Sequence, residues 1–148
     1  MFAVVAPRIP RRDTARGMSQ ENIEVVRVVI DAFNRGDWEV ALRPFDPGFE
    51  LDFSRAIGPL RGVYRLDQAR AFLDEFFGVW EAVRFEVDQF VEAGDQVATS
   101  FVNHHRGRDG IEVTVRPSGV WTIRDGRIVH ACVYQEWPEA LEAVGLSD

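Results

Sequence analysis

Ser118-Gly119-Val120-Trp121-Thr122-Ile123-Arg124-Asp125-Gly126-Arg127-Ile128-Val129-His130-Ala131-Cys132-Val133-Tyr134 reads as two strands joined by a tight turn. Val120 to Ile123 run up to the turn and Ile128 to Tyr134 run away from it. Asp125-Gly126 supplies the positive φ angles that a two-residue hairpin needs. A long hairpin cannot bury its faces alone, so helices or further strands elsewhere in the chain must cover it.

Upstream, the pattern predicts helices first. Ser19 is expected to cap a helix with Glu21 and Glu24 in its first turn, where the helix dipole favours acids. Ile23, Val26, Ile30 and Phe33 recur at helical spacing, and Gly36 ends the helix. Asp37 caps a shorter helix carrying Trp38, Ala41 and Leu42, which Pro44 and Pro47 stop. Phe49, Leu51 and Phe53 alternate with Glu50 and Asp52, giving a short strand with one apolar and one acidic face. A third helix begins near Asp67 and carries the stripe Ala69, Phe72, Leu73, Phe76, Phe77 and Trp80.

Beyond Trp80 the period changes to two. Strands are expected from Val83 to the Ala93-Gly94-Asp95 turn, from Gln96 to Arg106 and from Ile111 to Ile123, with Pro117 marking a bulge or an edge. The opening hairpin completes the sheet, and Pro138, Leu141, Val144 and Gly145 describe a short closing helix. The fold class is α+β: helix, helix, strand, helix, then four long antiparallel strands and a last short helix.

Composition narrows the function. The chain has 148 residues, enough for one domain. Its formal charge is −7 and all 17 of its basic residues are arginine. An acidic chain is a poor partner for nucleic acid, whose binding is driven by neutralising phosphates, and no membrane partner is expected. Without lysine there is no lysine Schiff base and no Walker-type phosphate loop. Cys132, the single cysteine, excludes an internal disulfide and fits a cytoplasmic address. Eleven phenylalanines and four tryptophans either pack a core or line an apolar cavity. Residues 1–17, with Arg8, Arg11, Arg12 and Arg16, read as a disordered basic tail or as an upstream misreading of a start at Met18, which leaves 18–148 as a single domain.

The order of elements, the turn Phe33-Asn34-Arg35-Gly36-Asp37-Trp38, the run Arg70-Ala71-Phe72-Leu73 and the strand pair Val120 to Val129 resemble the nuclear transport factor 2-like (NTF2-like) superfamily. The nearest branch is that of SnoaL-like polyketide cyclases and ketosteroid isomerases. The resemblance implies a cone, in which a strongly curved, mainly antiparallel sheet wraps the long helix around a deep apolar pocket. It also implies a homodimer paired through the outer sheet face, and no cofactor.

In the isomerase branch an aspartate near the end of the first strand abstracts a proton next to a ketone, and the resemblance puts Asp52 there. Aromatic walls would raise its pKa by desolvation toward the range of a general base. The two oxyanion donors of that branch fall on Val29 and Gly119, whose side chains donate nothing. Each lost donor typically removes about 3 to 4 kcal/mol of transition-state stabilisation, so steroid isomerisation by the familiar route is not expected. Alternation puts Thr99, Phe101, Asn103 and His105 on one face, which the resemblance makes the concave one. His105 is then a candidate acid, and Asn103, Phe101, Trp121 and Trp80 are candidate substrate contacts. His104 would point outward. No metal site is expected, since neighbouring His104 and His105 face opposite ways and His130 lacks a suitably spaced partner. The reading is a small-molecule protein, either a cofactor-free acid-base enzyme acting on a hydrophobic substrate (isomerase, cyclase, dehydratase or hydrolase) or a non-catalytic ligand-binding or dimerising module.

Overall fold

The computed structural model describes residues 13–56 and 58–146. In chain order the elements are α1 (Asp13–Arg35), α2 (Trp38–Leu42), β1 (Phe45–Asp52), β2 (Val63–Arg65), α3 (Leu66–Val79), β3 (Ala82–Ala93), β4 (Gln96–Arg106), β5 (Glu112–Val115), β6 (Ser118–Arg124), β7 (Arg127–Tyr134) and α4 (Trp137–Ala143). The expected α+β order holds, with two additional strands.

Helix α1 buries Ile23, Val26, Val29 and Ile30, as the apolar spacing demands. It already runs from Asp13, so Ser19 falls inside it instead of capping it. No proline follows Pro10 until Pro44, and Gly17 weakens a helix by only about 1 kcal/mol. Most of the expected basic tail, residues 1–12, lies outside the described residues. Gly36 ends α1 at φ 73°, and the Asp37 side chain accepts a hydrogen bond from the Val40 amide at 3.3 Å, capping α2.

The sheet runs β2-β1-β7-β6-β4-β3, with β5 attached to β4. Neighbours are antiparallel except β1 and β7, which are parallel. Strand β1 starts four residues before the alternation suggested. Pro47 and Gly48 lie within a register shift between Phe45 and Glu50, because proline has no amide for the ladder and the pairing must skip it. Strand β2 is a three-residue match to β1 (Glu50 with Arg65, Asp52 with Val63), too short to leave a periodic signal. The strand expected over 111–123 is broken at Arg116-Pro117 into β5 and β6. The opening hairpin is as read: Asp125 and Gly126 take φ 53° and 76°, the two left-handed positions of a type I′ turn.

The sheet's two faces are covered differently. The inner face carries Phe45, Phe49, Val97, Trp121, Ile123, Ile128 and Ala131, which form one core with Ile23, Val26, Val29 and Ile30 of α1 and Ala69 of α3. On the outer face Ala98 and Val120 are covered by Ala140 of α4, with Val91, Tyr134, Trp137 and Val144 around them. The outer face that the resemblance gives to a partner is thus already occupied, over Ala98 and Val120, by the chain's own last helix. No helix among the described residues is long and apolar enough to cross a membrane.

Candidate functional site

Five alternate residues of β4, Val97, Thr99, Phe101, Asn103 and His105, turn to the inner face. Val97 pairs with Trp121, and Asn103 and His105 pair with Phe85 and Val83 of β3. At the deep end the polar groups satisfy one another. Trp121 Nε1 donates to Thr99 Oγ1 at 3.0 Å, and Thr99 Oγ1 donates to the Gly119 carbonyl at 3.4 Å. Trp121 therefore serves as wall, its one donor already used. A Cβ at Gly119 would come within 3.3 Å of Thr99 Oγ1 and 3.5 Å of Trp121 Nε1, so the small residue belongs to this floor. Val29 is fully buried in α1, and neither of the two oxyanion positions presents a donor.

Farther along β4 the polar groups are not satisfied. Asn103 and His105 are each only 5% exposed, yet Asn103 Oδ1 and both ring nitrogens of His105 have no hydrogen-bond partner among the described residues. Such a group typically costs about 1 to 3 kcal/mol if nothing fills its valence. Aromatic and valine side chains surround Asn103 and His105. The His105 ring meets Phe76 edge-on at 5.6 Å and Trp80 at 4.6 Å. From there Phe76 contacts Phe77 and Phe72, Phe77 contacts Phe85, and Phe85 contacts Phe101. Phe76, Trp80, Phe85 and Phe101 all stay half-buried. Burial pushes the His105 pKa below its ordinary value, and the neighbouring His104 adds to the effect. The ring is neutral at pH 7, with one donor and one acceptor.

Asp52 lies elsewhere. It pairs with Cys132, and Cys132 with Val120, which places its carboxylate on the outer face with α4, whereas Leu51 packs into the inner core and Phe53 meets Phe72 edge-on. Partial burial pushes the Asp52 pKa up, but the Ser54 hydroxyl (2.6 Å) and amide (3.0 Å), the Cys132 thiol and the charge of His130 outweigh it and hold the carboxyl below its ordinary value. The expected upward shift is thereby corrected: the aromatic neighbours of Asp52 in sequence point the other way, and hydrogen bonds that favour a carboxylate replace the apolar wall. Around it, Arg55 lies 4.9 Å over the Tyr134 ring and Gln135 Nε2 donates to the Arg55 carbonyl at 3.0 Å. Burial and a hydrogen bond with Cys132 push the Tyr134 hydroxyl up to about 12, and burial likewise raises the Cys132 thiol. This cluster ties the chain after β1 to the end of β7.

Of the residues singled out from the sequence, the structure groups Asn103, His105, Phe101, Trp121 and Trp80 along the inner face and leaves Asp52 on the outer one. His104 faces outward and meets Glu86 at 3.0 Å. Phe76, a member of the third-helix stripe, joins the wall around His105. A separate open groove of about 440 Å³ is lined by Leu42, Pro47, Arg65, Leu66, Asp67 and Arg70 and shares no residue with this group. Among the described residues no three His, Cys, Asp or Glu side chains come together as metal ligands would.

A curved, open seven-stranded sheet around helices, with a polar pair on its concave wall, is the NTF2-like architecture. The chain belongs to the SnoaL-like family, whose SnoaL-like domain matches residues 26–131. Similar solved structures include TerC crystallised with polyporic acid, at 23% identity and a TM-score of 0.72, covering 84% of this chain and 98% of that one. An NTF2-like protein of Burkholderia pseudomallei aligns at 22% identity and a TM-score of 0.69, with 84% and 98% covered. One from Burkholderia thailandensis aligns at 24% and 0.68, with 82% and 95% covered. At these identities the likeness shows the fold. No curated protein sequence matches the chain.

Proposed function

We propose that the inner face between α3 and β3–β4 binds a small, largely apolar molecule through one polar group set against Asn103 and His105. The carrying observation is the set of three buried heteroatoms without partners, ringed by half-buried aromatics. A ligand hydroxyl or enol can donate to Asn103 Oδ1 and accept from the neutral His105 ring, and its apolar body rests on Phe76, Trp80, Phe85 and Phe101. In this position His105 is also able to pass a proton to or from the bound group, which makes cofactor-free acid-base chemistry such as isomerisation, cyclisation, dehydration or hydrolysis the catalytic form of the reading. TerC, a neighbour in fold, was crystallised with polyporic acid, a precedent for an organic acid as ligand. The base role implied for Asp52 is not carried over, because its carboxylate faces away and its hydrogen bonds lower its basicity. The reading includes a cytoplasmic homodimer.

Calorimetric titration with a panel of ring ketones, phenols and their deoxygenated analogues tests it. Wild type is expected to bind oxygenated members at least tenfold more tightly than their deoxygenated partners, and Asn103→Leu and His105→Phe to lose that preference. Equal affinity for both sets, or variants that bind like wild type, would overturn the proposal. A catalytic form requires in addition that His105→Gln abolish turnover while binding persists. The non-catalytic form is left where no panel member turns over.

A further inference from the structure

Strand β5 hydrogen-bonds to β4 on one side only. Gly107 N donates to the Ile111 carbonyl and Phe101 N to the Pro117 carbonyl, so odd-numbered residues from 111 to 117 turn their backbone toward β4. Alternation then turns the N–H and C=O groups of Glu112, Thr114 and Arg116 outward, along an open edge. Natural sheets usually blunt such an edge, and β3 shows how. Its outward Phe85 amide donates to Asn34 Oδ1 at 2.8 Å, and its carbonyl accepts from Asn34 Nδ2 at 2.9 Å. Nothing comparable covers β5 among the described residues, and on its inner face it leaves apolar side chains to water: Val113 is 40% exposed and Val115 38%, with Ile111, just before the strand, 62%.

The sequence of this edge is complementary to itself. About Thr114 it reads Glu112-Val113-Thr114-Val115-Arg116. An antiparallel copy centred on Thr114 sets Glu112 opposite Arg116 of the second copy, Val113 opposite Val115, and Thr114 opposite Thr114. Two ion pairs, two valine pairs and one threonine pair are the cross-strand matches that favour a two-stranded ladder, and a two-fold axis repeats every contact. Thr114, Glu112 and Arg116 carry the outward backbone groups, so the same register joins their amides and carbonyls. We propose that two copies of this chain pair edge to edge through β5, joining the two sheets into one, with Thr114 on the axis.

The inference deepens the homodimer of the proposed function, rests on that part of it, and is independent of the ligand. It places the partner at an edge and not on the outer face that α4 covers. Val113 and Val115 pair with His105 and Asn103 of β4 and lie on the same face, so the second copy's valines extend the apolar wall beside the polar pair. A ladder this short buries less than a standard interface, so dissociation is expected in the micromolar range, on the order of 1 to 100 µM.

Sedimentation velocity over that range is the test. Wild type is expected to shift with concentration from the 16.8 kDa monomer to twice that mass. Thr114→Pro removes an amide that points away from β4 and spares the intramolecular ladder, and is expected to weaken the dimer at least tenfold. Glu112→Arg alone and Arg116→Glu alone each oppose like charges and weaken it similarly, whereas the two together restore the pairing and the wild-type dissociation constant. A wild type that stays monomeric throughout sinks the homodimer and this surface with it. A dimer indifferent to all four variants sinks the surface and leaves a homodimer built elsewhere. Failure of the double exchange to restore what the single ones lose sinks the register.

Discussion

At the scale of single residues, Asn103 and His105 hold the most information because they run against the rule that buried polar groups find partners. Unfilled, they weaken the fold. Asn103→Leu is therefore expected to raise the stability of the free protein by about 1 to 2 kcal/mol, read as a higher urea midpoint, while ligand affinity falls at least tenfold. A loss of stability would mean that Asn103 already has its partners. The pH response has a definite sign. The folded-state pKa of His105 lies below its ordinary value of 6.5, so the unfolded chain binds the proton first. Stability is complete above pH 6.5 and falls as pH drops through that value toward the folded pKa. In His105→Phe this part of the pH dependence is expected to vanish, as denaturant titrations of both proteins across the window will show. Asp52 works in the same direction, at lower pH and for a different reason. Its folded pKa is depressed from 3.8, so its contribution is present above that value and lost as pH falls below it. Asp52→Asn is expected to cost about 1 kcal/mol at pH 7, to lose that difference in acid and to leave ligand binding unchanged. A tenfold fall in affinity for this variant would restore Asp52 to the site.

Among the elements, legibility followed the strength of the local constraint. The β6–β7 hairpin was readable because Asp125-Gly126 serves one turn geometry and alternation flanks it on both sides. The alternation of β1 was equally clear and already put Glu50 and Asp52 on the face opposite Phe49, Leu51 and Phe53. The expectation of an aromatic-walled Asp52 came from the resemblance and overrode that period-two signal. The start of β1, by contrast, was not legible. Its pairing with β7 skips Pro47 and Gly48, and only the distant partner strand shows that Phe45 belongs to the ladder. Pro117 gave the place of an interruption without saying that the strand would divide. Asn34 shows a motif whose purpose only tertiary structure reveals, since its amide caps the open edge of β3 from the end of α1. Asn34→Ala removes two hydrogen bonds and is expected to cost about 1 to 2 kcal/mol. It also exposes the Phe85 backbone, so light scattering on warming is expected to begin at a lower temperature than the midpoint shift alone explains. Unchanged unfolding and scattering would show that the cap is ornamental.

For the whole molecule, the resemblance supplied what no local pattern holds, namely that one long helix lies inside a curved sheet, whereas the parallel meeting of the first and last strands is read only in the structure. It left the position of α4 open, and that position decides which surfaces remain free. Ala140 is fully buried and, with Trp137 and Val144, covers Ala98 and Val120, so the last helix acts as the outer layer of the sheet. Burying side chains of this size contributes about 1.5 to 3 kcal/mol each as an upper estimate. A chain ended after Gln135 is expected to lose at least about 3 kcal/mol in urea unfolding, and its exposed Val120 row to bind a hydrophobic dye. Should that chain fail to fold, Ala140→Glu asks the same question in the full-length protein, because a carboxylate driven between α4 and Val120 must either ionise in an apolar seam or lift the helix. A loss of comparable size in Ala140→Glu, with the dimer's dependence on Glu112 and Arg116 unchanged, would separate the two surfaces. In that outcome the outer face over Ala98 and Val120 belongs to the chain itself and the β5 edge to the proposed neighbour. If instead Ala140→Glu leaves stability intact but abolishes self-association, α4 is a partner element, and the outer face returns to the role that the resemblance gave it.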